Sequence, residues 1–145
     1  MIRAPGSCPN RQRGRSAAVV AAAALLTGCG VGGPAYVEPS EGAAATVIMT
    51  TGLAFDPSEV TVHVGDTVEW RNKSILTHTV TTDPTIVQNT SNVEIPAGAM
   101  VFDSGAVFPG QIYRYTFRAP GTYRYVSLPH ESFAMHGTVV VEAEE

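Results

Sequence analysis

Short runs of alternating apolar and polar residues recur along the chain after residue 45, and they predict β-strands. In residues 59–64, valines occupy every second position and His63 lies on the opposite face. Because successive side chains of a strand point to opposite faces, this run predicts buried valines and an exposed His63. Similar runs follow at 46–51, 67–71, 78–82, 111–117, 122–127 and 137–142.

Turn-forming residues separate these runs, as at Gly65-Asp66 and Ala119-Pro120-Gly121. Seven or eight short strands with frequent turns predict an all-β fold, an antiparallel β-sandwich. The pattern alone does not distinguish an immunoglobulin-like sandwich from its relatives. Residues 84–100 show no period apart from a short extended piece at 93–95. A loop of this length is usually functional or mobile, and we expect it to shield one end of the sandwich.

The first 28 residues have a different character, that of a secretory signal peptide. Four arginines and no acidic residue precede an apolar run from Ala17 to Leu26, which is too short for a permanent transmembrane helix. The residues Leu26-Thr27-Gly28-Cys29 then resemble a bacterial lipobox, in which cleavage precedes a cysteine that receives lipid. We therefore expect a signal peptide at 1–28, a lipidated Cys29 with a flexible tether at 29–45, and a domain at 46–143. An ordinary signal peptide with an incidental cysteine is the alternative.

Removal of residues 1–28 would leave five basic and thirteen acidic residues, a formal charge of −8. Such a surface disfavours nucleic acid as a partner. Cys8 would be lost and Cys29 lipidated, so no disulfide is available and the core alone must hold the domain. We expect an extracytoplasmic monomer that is attached to the bacterial membrane through its lipid anchor.

Two residues with metal-binding side chains, His130 and Met135, lie close together near the end of the chain, and Ser127 precedes them at the spacing of a third ligand. A fourth, His78, lies far upstream at the start of a predicted strand. Blue-copper sites combine two imidazoles, one thiolate and a weak axial thioether. The spacing of such a ligand loop is kept here, but serine stands in the first position, where the cysteine is expected.

Motifs along the whole domain resemble the plastocyanin, pseudoazurin and amicyanin group of cupredoxins. They are Phe55-Asp56-Pro57, Gly65-Asp66-Thr67-Val68, His78-Thr79-Val80, Phe102-Asp103-Ser104-Gly105, Pro120-Gly121-Thr122-Tyr123 and Gly137-Thr138-Val139-Val140-Val141. The resemblance implies a Greek-key sandwich with copper at one end and one-electron transfer between larger redox partners. It assigns His78 and His130 as imidazole ligands and Met135 as the axial ligand. Position 127 matches the thiolate, and there the match fails. Residues 84–100 are also longer than the corresponding link in the family.

Two hypotheses follow from Ser127, because a serine hydroxyl is a hard, neutral donor. In the first, His78, His130 and Met135 still bind copper, with Ser127 or water, for copper handling or slow electron transfer. His136 is then either an additional imidazole ligand or a surface histidine. In the second, the domain is a metal-free interaction or scaffold module.

No enzyme is expected, because Ser127 and His130 lack the third residue and the oxyanion motif of a nucleophilic triad. The remaining aromatic residues, Trp70 and the tyrosines at 113, 115, 123 and 125, are expected to pack in the core. Met49 and Met100 are likewise expected to be packing residues.

Overall fold

Seven strands lie within residues 39–144, the part of the chain that the structure, a computed structural model, describes. They form where β-branched and aromatic residues alternate with polar ones, because such side chains pack well on a pleated surface. The strands are β1 (Ala45–Met49), β2 (Phe55–Asp56), β3 (Glu59–His63), β4 (Thr67–Asn72), β5 (Ile112–Thr116), β6 (Gly121–Val126) and β7 (His136–Glu142). Two 3-10 helices, Thr90–Asn92 and Leu128–Phe133, lie in the connections.

The strands form two sheets with the orders β2-β1-β4-β5 and β3-β7-β6. The all-β sandwich predicted from the sequence is confirmed, but its pairing is mixed rather than wholly antiparallel. β1 runs parallel to β4, and β3 runs parallel to β7. Both parallel pairs join strands that other strands separate along the chain. Alternation within one strand carries no information about such distant partners.

The core lies between the two sheets and is centred on Trp70, which is fully buried. The Trp70 ring lies 5.7 Å from Tyr113 and 5.4 Å from Tyr125, measured between centroids. The predicted packing of the aromatic residues and of Met49 is confirmed. The prediction for Met100 is wrong, because this residue lies outside the strands and is 77% exposed.

The predicted strand at 78–82 is replaced by isolated bridges. His78 pairs with Val107, whereas Thr81 pairs with both Asp103 and Val126. Because the backbone changes partner within three residues, no continuous ladder forms.

Residues 84–100 are packed against the edge of the second sheet. Glu94 forms an antiparallel bridge with Arg124 of β6, and Val93 is buried. The extended piece predicted at 93–95 thus contributes a single bridge to that edge.

Glu69 of β4 is buried on the outer face of the first sheet, where alternation alone would leave it in solvent. Its carboxylate accepts hydrogen bonds from Ser40, Arg71 and Arg114. Burial raises the pKa of Glu69, but these three hydrogen bonds and the charge of Arg71 outweigh that effect and lower the pKa below its ordinary value. Ser40, which the sequence assigns to the tether, thereby contacts the domain.

The predicted signal peptide, Cys29 and most of the predicted tether lie outside the described residues. Within residues 39–144, no helix has both the length and the apolar character required to cross a bilayer.

Candidate metal centre

The residues that the sequence singles out for metal binding lie in two loops that meet at one end of the sandwich. His78 lies in the loop after β4, where its N–H donates to the Val107 carbonyl at 3.2 Å. Ser127, His130 and Met135 lie in the connection between β6 and β7, which we call the ligand loop (residues 127–135). The ligand loop closes on itself, because the Ser127 N–H donates to the Met135 carbonyl at 3.1 Å.

Ser127 is fully buried at the point where the two loops touch. Its Oγ accepts a hydrogen bond from the Thr79 N–H at 3.2 Å and lies 3.5 Å from Nδ1 of His78. Thr79 in turn accepts a hydrogen bond from the Leu128 N–H at 2.8 Å through its Oγ1. The serine oxygen therefore lies directly beside the first imidazole.

A buried polar network orients the His78 ring. Nε2 of His78 lies 2.8 Å from Oγ of Ser74, and that hydroxyl also lies 2.8 Å from Oδ1 of Asn72. The Asn72 oxygen and the Leu76 carbonyl can only accept, so we assign the Ser74 hydroxyl proton to them and the proton between Ser74 and His78 to Nε2 of His78. Nδ1 is then the unprotonated nitrogen, and it faces Ser127. Burial lowers the pKa of His78 and the neighbouring His130 lowers it further, so the ring is neutral, as a metal ligand must be.

The second imidazole lies against the first. The ring centroids of His78 and His130 are 4.9 Å apart, with an interplanar angle of 61°. Nε2 of His130 is shielded from solvent and has no hydrogen-bond partner among residues 39–144. Met135 ends the ligand loop, is fully buried and belongs to the core cluster. A shielded nitrogen without a partner is costly unless a ligand satisfies it.

The chain matches a known protein family over most of its described residues. Residues 43–142 match the model for copper binding proteins of the plastocyanin/azurin family. This chain belongs to that family. The matched region contains all seven strands. It also contains both histidines, Ser127 and Met135. The predicted cupredoxin resemblance is therefore confirmed.

Individual plastocyanins and an amicyanin structure are similar to this chain. Plastocyanin from Scenedesmus fuscus is 34% identical over 90 residues, which cover 62% of this chain and 88% of that protein. Plastocyanin from Prochlorothrix hollandica is 30% identical over 121 residues, covering 77% of this chain and 85% of that protein. Among solved structures, a methionine-to-alanine variant of amicyanin in its Cu(I) form has a TM-score of 0.55 at 30% identity. The similarity covers 72% of this chain and 87% of that chain.

Copper is the cofactor of the plastocyanin/azurin family, and the residues present fit it. Two imidazoles and a thioether suit copper, and the partnerless nitrogen of His130 lies in the same cluster. Within residues 39–144, no three His, Cys, Asp or Glu side chains form a metal-binding group. The candidate donor set of a family site therefore depends on Met135 and Ser127 as well as on the two histidines.

His136, the alternative imidazole, points away from this cluster. It begins β7 on the less buried face of that strand, whereas Met135, the residue before it, is fully buried. His136 lines a separate polar pocket of about 180 Å³ together with Arg124, Asn92 and Thr138. This placement favours the interpretation of His136 as a histidine outside the metal centre.

Three residues around the site were not singled out by the sequence analysis as metal-site residues: Asn72, Ser74 and Glu131. Asn72 holds the loop before His78 by donating to the carbonyls of Leu76 and Val107 at 2.7 and 2.8 Å. Asn72 closes a Trp70-x-Asn72 motif at the end of β4, and that motif was the signal available for it in the sequence. The partners of Ser74 lie two to four residues away, but no sequence pattern marks the contact with His78. The partners of Glu131 lie 39–43 residues away, so its role has no local sequence signature.

Proposed function

We propose that this protein binds copper through His78, His130 and Met135, with Ser127 beside the site in place of a thiolate ligand. The observation that carries the proposal is the edge-to-face pair of the His78 and His130 imidazoles, in which Nε2 of His130 is shielded and has no partner among residues 39–144. A site of this kind supplies one-electron or copper-exchange chemistry when it is loaded. Without a thiolate, copper handling or slow electron transfer is the expected role.

Ser74, Met135 and Ser127 have different roles at this site. Ser74 holds the proton on Nε2 of His78, which leaves Nδ1 as the donor atom. Met135 supplies a soft sulfur from the core side and limits water at the site through its burial. The hard oxygen of Ser127 interacts weakly with copper, so the site is expected to lack the intense blue colour that a copper–thiolate bond produces.

The loops around the site carry exposed apolar side chains. Ile75 precedes His78, Phe108 follows the residue that pairs with His78, and Phe133 lies in the ligand loop; they are 80%, 54% and 68% exposed. Exposed apolar residues at the end of the sandwich that carries the site support docking of a protein partner for electron or copper exchange.

The amino-terminal sequence supports a lipid anchor outside the cytoplasm. The lipobox-like residues before Cys29 follow a basic start and a short apolar run. Cys29→Ala should release the protein from the membrane fraction, and mass spectrometry of the wild type should find acyl chains on Cys29. Membrane retention of the variant would contradict the anchor.

Copper titration of the purified protein tests the metal site. We expect one copper ion per chain, with binding lost in His78→Ala and His130→Ala. His63→Ala is the matched control, because His63 is exposed and does not belong to the site. Ser127→Cys should turn the copper-loaded protein intensely blue, since the new thiolate would lie beside Nδ1 of His78.

One observation favours a metal-free interaction module as the second candidate. Oγ of Ser127 accepts a hydrogen bond from the Thr79 N–H at 3.2 Å and lies 3.5 Å from Nδ1 of His78, so protein groups alone can satisfy it. Under this alternative, wild type and Ser127→Cys would both remain free of copper, and added copper would not change thermal stability.

A further inference from the structure

We propose that Glu131 is a positioning residue of the metal site: its carboxylate fixes residues 88–92 against the ligand loop and thereby holds the neighbouring His130 in place for copper. This inference rests on the proposed copper site. It gives a structural role to residues 84–100, a segment that is longer than the corresponding link in the family and contains none of the candidate ligands.

The Glu131 carboxylate is buried, at 4% exposure, and its hydrogen bonds all come from one segment. Oε2 accepts from the Gln88 N–H at 2.8 Å. Oε1 accepts from the Asn89 N–H at 3.0 Å and from Nδ2 of Asn92 at 2.9 Å. A carboxylate that accepts three N–H groups is strongly oriented, because hydrogen bonds to an ionised acceptor are about twice as strong as neutral ones.

The backbone at Glu131 is fixed from the other side as well. The carbonyls of Glu131 and His130 accept the N–H of Ala134, which adopts a left-handed conformation with φ 59°. This turn directs the chain from His130 back toward Met135. Glu131 therefore lies near the middle of the ligand loop. Its main chain forms a hydrogen bond within the loop, and its side chain forms hydrogen bonds with residues 88–92.

Residues 84–100 have a second attachment, to the strand that leads into the loop. The Glu94 and Arg124 backbones exchange two hydrogen bonds of 3.1 and 2.9 Å. Gly121 allows Pro96 to approach closely, since a Cβ at Gly121 would lie 2.5 Å from Cβ of Pro96. The segment thus spans from β6, which ends directly before Ser127, to Glu131, which follows His130.

Two attachments on either side of the ligand loop restrict its opening. Release of copper requires His130 to move away from His78, and the loop cannot swing outward while Glu131 holds three donors of a segment that is itself paired with β6. The ligands are accordingly preorganised before copper arrives, and exchange of bound copper is slowed. Removal of groups that orient a metal ligand commonly weakens a site by about 10–100-fold.

Glu131→Ala and Glu131→Gln test this role in the full chain. We expect faster hydrogen exchange at the Gln88 and Asn89 amides, an altered Cu(II) electron paramagnetic resonance spectrum, and about tenfold or faster transfer of copper to excess chelator in Glu131→Ala. Glu131→Gln retains one acceptor oxygen and should be intermediate. All measurements are made well below the melting temperature of each variant.

Glu94→Gln is the matched control on the same segment. It removes the exposed ion pair with Arg124 but leaves the backbone bridge, so spectrum and transfer rate should equal those of the wild type. Faster amide exchange in Glu131→Ala with an unchanged spectrum and transfer rate would overturn the proposal. Unchanged amide exchange would overturn it too.

Failure of the copper proposal is distinguishable from failure of this one. If the wild type binds no copper, the imidazole resonances of His130 in the metal-free protein become the readout. A shift of these resonances in Glu131→Ala, absent in Glu94→Gln, would support the positioning role without copper. Unchanged resonances would overturn it.

Discussion

Replacement of Ser74 by alanine should weaken copper binding although Ser74 is not itself a ligand. In the folded protein, the Ser74 hydroxyl accepts the Nε2 proton of His78 and so leaves Nδ1 free to bind a metal. Ser74→Ala removes that acceptor from a fully buried ring. The proton then has a better position on Nδ1, because Oγ of Ser127 lies 3.5 Å from that nitrogen and can accept it.

The size of the effect follows from the cost of the competing tautomer. To bind copper, the variant must return the proton to Nε2, where it lacks an acceptor in a buried site. Such an unsatisfied buried donor costs about 1–3 kcal/mol. Since each 1.4 kcal/mol is a factor of ten in affinity, the dissociation constant should rise by roughly 5–150-fold.

Competition between the protein and a copper chelator of known affinity measures this change, and nitrogen NMR of the metal-free protein reports the His78 tautomer. Ser74→Thr keeps the hydroxyl and should preserve the tautomer. Ser132→Ala removes an exposed hydroxyl from the ligand loop and should leave affinity unchanged. An affinity within twofold of the wild type, with the proton still on Nε2 in Ser74→Ala, would refute the reasoning.

Three further predictions concern stability. Gly137→Ala places a Cβ 2.3 Å from Cζ of the fully buried Tyr125, so it should cost about 1–3 kcal/mol and lower the Tm by roughly 5–20 °C. Gly52→Ala is the control, because its Cβ would lie 3.7 Å from Oγ1 of Thr50, and calorimetry should show no such loss. Glu69 has a pKa below its ordinary 4.5, so its stabilising contribution is present above that pH and is lost as the pH falls through the lowered pKa. The Tm difference between wild type and Glu69→Gln should therefore shrink as the pH falls from neutral through the lowered pKa of Glu69, and a constant difference would contradict this prediction. Copper at 100 times its dissociation constant should stabilise the wild type by about 2.7 kcal/mol, chelator should reverse this, and His130→Ala should show neither change.

Most strands and core residues were predictable from the sequence, because their signals are local. The alternation around Val62 and Trp70 places both residues correctly in the core, and His63 correctly outside it. The family motifs supplied the architecture that alternation leaves open. Local patterns failed where tertiary contacts decide the burial of a residue. Within residues 39–144, no side chain buries Met100, whereas Ser40 and Arg114, distant along the chain, cover Glu69.

The candidate ligands were predictable from spacing, but the groups that orient them were not. The partners of the Ser127 hydroxyl and of the Glu131 carboxylate are 48 and 39–43 residues away along the chain. Such contacts arise only when β4, β6 and residues 84–100 are packed together. A serine in the loop after β4 carries no sign in the sequence that it accepts a proton from His78.

The polar groups at the site are not equally well satisfied, and this asymmetry bears on the effect of a serine at position 127. The Ser127 oxygen is satisfied, because it has a backbone donor and a neighbouring imidazole. His130 is not, since its shielded Nε2 lacks a partner within residues 39–144. If the whole site had ceased to bind metal, replacement of His130 by an apolar residue would remove that cost of about 1–3 kcal/mol at once. A shielded imidazole nitrogen beside a serine that already has a backbone donor therefore supports the proposed copper site, in which a metal ion would bind His130.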